Sequence, residues 1–442
     1  MKKKSPKKAM QQINPDAAGI DIGSTFHYVA VPEDREEQPV KRFESFTSDL
    51  HKLAHWLKEC GIRTVAMEST GIYWVQLFLI LEQEGFEVYL VNARHIKNVS
   101  GRKSDVLDCQ WIQQLHSYGL LSASFQPDEL TRSLRGYMRH RKNLTQSYSK
   151  EVLHMQKAFE HMNIKLHNVL SDITGKSGIA IIRAILAGQR DAAQLAQLVD
   201  SKVKSSPEEL AKSLQANWQD EPLFELKQAY ELYLCYKEKI AECDVEIEKA
   251  LGKFNKDIDP ATYQNKPRKV YTKNRLNFNA GLYLQDILGV DVTQMFGISE
   301  TLALEIVSEV GTDMHKWPTK KHFTFWLNLA PNNRVSGGKL LRSKKQKKKN
   351  KAAQAFLMAA YALQRSNHWL GAFYRRIKAR QGALVATKAT ARKLATIFYH
   401  IVKDQVPFNP IPVHKYEQDL AERRMKYIQH QASKMGMALV PI

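Results

Sequence analysis

Short runs of β-branched and aromatic residues alternate with segments of helical apolar spacing over the first quarter of this 442-residue chain, and no other feature constrains its fold as much. AAGIDIGSTFHYVAV, from Ala17 to Val31, reads as a strand, a turn at Gly23-Ser24 and a second strand, with PVKRFESF as a third. LHKLAHWLKEC reads as a helix capped by Ser48 or Asp49 and stopped at Gly61. Then come IRTVAMEST as a buried strand, GIYWVQLFLILEQEG as a helix, FEVYLVNA as a strand, and a helix from Ser104 to Gly119 behind a serine cap. This alternation predicts an α/β unit closing near residue 125, its parallel strands covered on both faces.

A single core rarely grows past about 250 to 300 residues, so the remainder must fold separately. Asp128 to about Leu166 and Glu221 to Leu251 are long helical tracts, the second with Leu226, Tyr230, Tyr233, Tyr236 or Lys237, Ile240 and Ile247 near a seven-residue rhythm. They predict an extended helical hairpin or coiled coil. Asp257 to Asn279 reads as a Pro-, Asn- and Lys-rich linker. Short helices follow, and Gly297 to Gly311 is shaped like a helix-hairpin-helix module. NNRVSGGKLLRSKKQKKKN reads as a loop, ahead of helices at Lys351 to Arg365, Trp369 to Arg380 and Lys388 to Lys403. The expected divisions are 1–16, a basic flexible arm; 17–125, the α/β domain; 126–256, the helical region; 257–280, the linker; 281–406, a mostly α-helical C-terminal domain; and 407–442, a peripheral tail of mixed charge.

The net charge of +21 is confined to one part of the chain. Residues 1 to 125 carry 15 basic and 15 acidic side chains, whereas Met314 to Lys403 holds 21 Lys and Arg and no Asp or Glu. A solvated surface mixes both signs, so an acid-free segment this long points to phosphate contact and a nucleic-acid partner. Arg334, Lys339, Arg342, Lys344, Lys345 and Lys347 are the candidate contacts there, with Arg139 and Arg141 in the helical region.

Four acids in the neutral first quarter carry the chemistry: Asp21 inside an apolar strand, Glu68 at the end of another, and Asp105 and Asp108 one helical turn apart. Carboxylates drawn together from strand ends and a facing helix suit divalent cations that clamp the oxygens of a phosphoryl transfer. Strand Asp, strand-end Glu and helical DxxD in this order is the layout of a RuvC-like, ribonuclease H-like fold. Taken singly, Glu68 and Asp105 are also unremarkable capping or first-turn acids, but Asp21 between Ile20 and Ile22 needs a partner. GIDIGST also resembles the phosphate loop of actin-like ATPases and sugar kinases, yet the second Gly-rich Asp loop that those folds need does not occur here. Ser336, in RVSGGK beside Arg334, Lys339 and Arg342, is placed to attack a phosphodiester; the competing reading is that Ser-Gly-Gly is only a tight turn.

GIDIGS, AMESTG, KSDVLDCQWI and LAPNNRVSGGK together resemble the DEDD-type insertion-sequence transposases of the IS110 (IS-one-ten) family, over most of the chain. The resemblance implies a RuvC-like domain over 17–125, a coiled-coil middle and a C-terminal serine-containing transposase domain. It implies Mg²⁺, or Mn²⁺, on Asp21, Glu68, Asp105 and Asp108, with Ser336 forming a transient covalent link to DNA. It also implies an element-encoded bridge RNA pairing with donor and target DNA, and a composite site within a tetramer of two dimers. The chain departs from the family pattern in having no glycine between Gly338 and Gly371, and Asp191 to Asp220 and Asp257 to Asn279 read as extra material.

Cys60, Cys109, Cys235 and Cys243 form no CxxC pair, which argues against a zinc ribbon or a disulfide framework and fits a reducing compartment. The most apolar window, Ile72 to Leu81, is far shorter than the roughly 20 residues of a membrane span, and the basic start runs into polar residues rather than a signal core. The expectation is a cytoplasmic, nucleoid-associated protein with no membrane contact. An endonuclease of the Holliday-junction type, using water and no covalent intermediate, is the alternative function, and a non-enzymatic nucleic-acid scaffold a third.

Overall fold

The computed structural model describes residues 11–92, 105–255, 274–331, 333–343 and 350–438, and divides into two compact units, residues 1–126 and 127–442. In the first unit the strands are β1 (Ala17–Ile22), β2 (Phe26–Ala30), β3 (Val40–Glu44), β4 (Thr64–Glu68) and β5 (Glu87–Val91), in the order β3-β2-β1-β4-β5. β1 pairs antiparallel with β2 and parallel with β4, while β3 is antiparallel to β2 and β5 parallel to β4. Ala17, Ala18 and Ile20 on β1 and Val65, Ala66 and Met67 on β4 are fully buried, as central strands covered on both faces require.

Helices α1 (Thr47–Glu59), α2 (Trp74–Gln83) and α3 (Asp105–Ser117) cover that sheet. Leu50, Leu53, Ala54 and Leu57 of α1 fall on one buried face. The helix starts ahead of the expected Ser48 or Asp49 cap, at Phe46, which gives no side-chain cap; Asp49 lies instead in the first turn, where the helix dipole favours an acid. Gly61 follows at φ +68°, the left-handed conformation that ends a helix. The predicted Ser104 cap of α3 lies outside the described residues.

α3 reaches the sheet because β1 carries a glycine at the crossing. A Cβ on Gly19 would stand 2.1 Å from the Gln113 backbone nitrogen and 2.4 Å from the Cys109 carbonyl oxygen. Both are backbone atoms, so strand and helix would have to separate. Gly19→Ala is therefore expected to destabilise the first unit by about 3 kcal/mol, as overpacking of a filled core does. A urea titration of the purified variant measures it, and an unchanged midpoint would show that the crossing is loose.

In the second unit α4 (Glu129–His161) pairs with α9 (Asp220–Gly252) as the predicted long helical hairpin. Asp128 caps α4 by accepting from the Thr131 N–H at 2.9 Å. Tyr148 and Tyr233 stack across the pair at 4.7 Å and share a 3.0 Å hydroxyl hydrogen bond. Of the rhythm read in α9, Leu226, Tyr230, Tyr233 and Ile247 are buried, whereas Lys237 is exposed and Tyr236 and Ile240 lie half-buried. Between the long helices come α5 (Leu166–Val169), α6 (Lys176–Leu186), α7 (Ala192–Ala196) and α8 (Pro207–Ser213). The stretch read as extra material, Asp191 to Asp220, is built into this core, since its Leu195 and Leu214 are fully buried alongside Phe159, Ile181 and Leu226.

The linker read over 257–280 falls largely on 256–273, outside the described residues. After it come α10 (Ala280–Leu288), α11 (Glu300–Val310) and α12 (Lys320–Trp326). Gly297 and Gly311 enclose α11 alone, the 3-10 turn Val292–Gln294 and α10 lying before Gly297, so this segment holds one helix instead of two. α13 (Lys351–Ala362), α14 (Trp369–Gln381) and α15 (Ala383–Asp404) complete the C-terminal core around Phe323, Phe356 and Phe398. α15 begins at Ala383, ahead of the predicted Lys388, because Gly382 at φ +85° supplies the break between α14 and α15. The tail forms α16 (Val413–Lys434), which has no buried residue.

Candidate metal centre and nucleophile

Asp21 lies one residue from the end of β1, opposite Tyr28 of β2. On its other side β1 runs parallel to β4 with Ile20 beside Met67, and the same register continued by one residue puts Glu68 beside Asp21. α3, held close by Gly19, begins at Asp105 and carries both helical acids in its first turn. The result is electrostatic. Burial, reinforced by the charges of Asp105, Glu68 and Asp108, pushes the Asp21 carboxyl up to about 6. Of the four acids singled out in the sequence, Asp21 is thus the one on which burial and the charges of the other three bear. The same charge and burial push the neighbouring Cys109 thiol up to about 12, too high for a reactive thiolate.

Carboxylate oxygens alone form a donor set for hard cations, and a divalent ion would offset the burial and the like charges that hold Asp21 high. Among the described residues no three His, Cys, Asp or Glu side chains converge closely enough to hold one ion without adjustment. Glu68 is held by the Thr70 hydroxyl, which donates to its Oε1 at 3.2 Å. Asp105 is exposed and Asp108 half-buried, so both can shift toward Asp21.

Ser336 ends β6 (Asn333–Ser336), which pairs with β7 (Lys339–Ser343) as an antiparallel hairpin. The predicted loop is thus a hairpin. Gly337 and Gly338, at φ +54° and +75°, form its two-residue turn, where both central residues need a positive φ. Ser336 and Lys339 face each other across that turn and both are exposed. A shift in register leaves Leu341 as an extra residue, after which Arg334 pairs with Arg342. The side chains of Arg334 and Arg342, and Lys344, Lys345 and Lys347 entirely, lie outside the described residues.

Residues 18–164 match the family model DEDD_Tnp_IS110, described as a transposase, and residues 291–375 match the model described as transposase IS116/IS110/IS902 family. Together these matches take in just over half of the chain, and each contains part of the chemistry located above. The chain belongs to the IS110 family of insertion-sequence transposases. It is a DNA transposase, and DNA is its substrate. No curated protein matches it closely. No helix among the described residues is long and apolar enough to cross a membrane.

Two of the transposase's predicted nucleic-acid contacts are engaged inside the protein. Arg141 is buried: its Nε donates to Asp244, and Nη2 donates to the other Asp244 oxygen at 3.3 Å and to the Arg275 carbonyl at 3.1 Å. With its Nε and Nη2 donors taken up inside the helical hairpin and its side chain buried, Arg141 ties α4 to α9. Arg139 forms a two-pronged pair with Glu309 of α11 at 2.8 and 2.9 Å. Its neighbours Arg135 and Lys142 likewise bind Glu309 and Glu305. This basic row of α4 therefore serves to dock α11. The sequence reading missed it because Glu305 and Glu309 lie some 170 residues away. It also missed Gly19, for which the small-residue run AAG inside a strand was the available signal.

Proposed function

We propose that this transposase is an RNA-guided recombinase that cleaves and exchanges DNA strands through a covalent phosphoserine intermediate. The observation that supports the reading is the placement of Asp21 and Glu68 near the ends of the adjacent strands β1 and β4, with Asp105 and Asp108 in the first turn of the α3 helix packed on β1. The strand order β3-β2-β1-β4-β5, with only β2 antiparallel to the rest, supports a RuvC-like, ribonuclease H-like first domain over residues 17–125. Asp21, Glu68, Asp105 and Asp108 would hold Mg²⁺, or Mn²⁺, which when bound would neutralise the charge developing on the attacked phosphate. The Ser336 Oγ attacks phosphorus, its bond to phosphorus forms as one phosphoester bond breaks, and the leaving oxygen departs as a hydroxyl. The freed hydroxyl of another strand then attacks the phosphoserine, restoring the serine and rejoining DNA with no external energy source. Lys339, the register partner of Ser336 across the turn, would steady the phosphate. Acids and serine belong to different units of the chain, which fits a site completed between subunits in a tetramer of two dimers.

One observation favours the simpler alternative, a Holliday-junction-type endonuclease using water: the turn at Gly337-Gly338 by itself accounts for the Ser-Gly-Gly sequence. In vitro strand exchange between donor and target DNAs, with and without the bridge RNA transcribed from the element end, separates the two. Exchange is expected only with RNA present. Cutting without rejoining, independent of RNA, would favour the endonuclease.

A further inference from the structure

On the C-terminal core, away from the Ser336 hairpin in sequence, one face of α14 carries Trp369, Phe373, Arg376 and Arg380 at helical spacing. Trp369 is 4 % exposed, yet its indole N–H has no hydrogen-bond partner among the described residues. The same holds for Nε of Arg376 and the hydroxyl of Tyr416, which α16 brings to this face. The Tyr416 ring lies 5.8 Å from that of Trp369, and the Arg376 guanidinium 6.0 Å from the Tyr416 ring. Lys393 of α15 stands 5.8 Å from the Trp369 ring, and the positive charges of Arg376 and Arg423 bear on the Tyr416 hydroxyl. Arg376 and Arg380 also line a cavity of about 240 Å³ between α14 and α15.

Buried donors are almost always satisfied, so several unsatisfied ones in a single cluster call for an acceptor that the chain does not supply. The surroundings specify its charge. From Met314 to Lys403, which takes in α14 and nearly all of α15, there is no carboxylate; α16 carries Glu417, Asp419 and Glu422, but no carboxylate pairs with Arg376, Arg380 or Lys393 among the described residues. Arg376 and Arg380 are one turn apart, about 6 Å along the axis, which lets one extended strand meet both.

We infer that the α14 face, closed by Tyr416 and Arg423 of α16, is a phosphodiester-binding site for a nucleic-acid strand, separate in sequence from the Ser336 hairpin. It requires only a phosphate backbone and is independent of the roles of Asp21 and Ser336. It also gives α16, a helix with no residue fully buried, a reason to stay docked: the bound strand would bridge it to α14.

The test is fluorescence anisotropy with labelled duplex DNA and labelled single-stranded RNA over a series of salt concentrations, on the full chain. Arg376→Gln/Arg380→Gln is expected to weaken binding at least about fivefold and to lower the salt slope by roughly 1 to 2. The charge-matched pair Lys378→Gln/Lys388→Gln, on exposed positions, should leave the slope within about half of that change. Tyr416→Phe, which removes only the hydroxyl, should weaken binding about two- to fivefold at an unchanged slope. A loss confined to DNA or to RNA identifies the strand, and melting curves confirm that each variant is folded. If a folded Arg376→Gln/Arg380→Gln protein binds both ligands as the control pair does, the site is refuted.

Discussion

Ser336→Ala should abolish the covalent protein–DNA adduct while DNA binding stays within about twofold, because the substitution removes one oxygen and little else. Ser336 is exposed at the end of β6, and its hairpin is shaped by Gly337 and Gly338, whose positive φ values alanine at 336 leaves untouched. The basic residues that would hold the phosphate are also retained. The adduct, read as a denaturant-resistant shifted band, should fall by at least about three orders of magnitude, as removal of a covalent nucleophile does elsewhere. A serine hydroxyl is a weak nucleophile, and under the proposed mechanism Lys339, its register partner across the turn, would stabilise the charge that develops on the phosphate. Lys339→Gln should therefore slow adduct formation without preventing it. An adduct of normal yield from the alanine variant would remove the serine from its role and leave the endonuclease reading in place.

The two halves of this chemistry differ in how openly the sequence shows them. The acids of the first unit are legible because local rules suffice: β1 and β4 are buried on both faces, so a charged residue in or at the end of either is conspicuous. Asp105 and Asp108 follow from helical spacing alone. Their approach to Asp21 does not, since it depends on Gly19 letting the backbone of α3 almost touch β1, a contact between residues 90 apart in the chain. The hairpin at Ser336 was obscured differently. Its strands are short and basic, so the two-residue alternation is masked by charge, although Gly-Gly between them is the turn signal for this geometry. Arg139 and Arg141 illustrate the converse. Net charge predicts a phosphate partner for a basic helix, but a buried Asp244 and the α11 acids reach these arginines first. Charge composition locates a nucleic-acid surface only where acids are absent in space as well as in sequence.

Asp21→Asn carries the second large effect, and its two consequences point in opposite directions. The folded carboxyl is raised from 3.8 to about 6 by burial and three like charges, so between those values the folded protein holds a proton that the unfolded chain has lost. Stability of the metal-free protein must then fall as pH rises from about 4 to about 6, and the penalty is fully present above that window. Asparagine keeps the shape without the charge. Part of the carboxylate remains in water, so the relief at pH 7.5 is discounted to about 1 to 2 kcal/mol, a rise of a few degrees in melting temperature in chelator. At pH 4 the two proteins should melt together. Catalysis should move the other way, with cleavage in Mg²⁺ or Mn²⁺ falling by at least about a hundredfold, because the amide no longer attracts the cation that the four acids call for. A residue that destabilises the empty protein and is required for strand cleavage is the signature of a metal site held together against its own repulsion. Wild-type cleavage by the asparagine variant would refute the metal assignment whatever its melting temperature, whereas lost cleavage with no gain in stability would mean that the repulsion on Asp21 is already relieved in the metal-free protein.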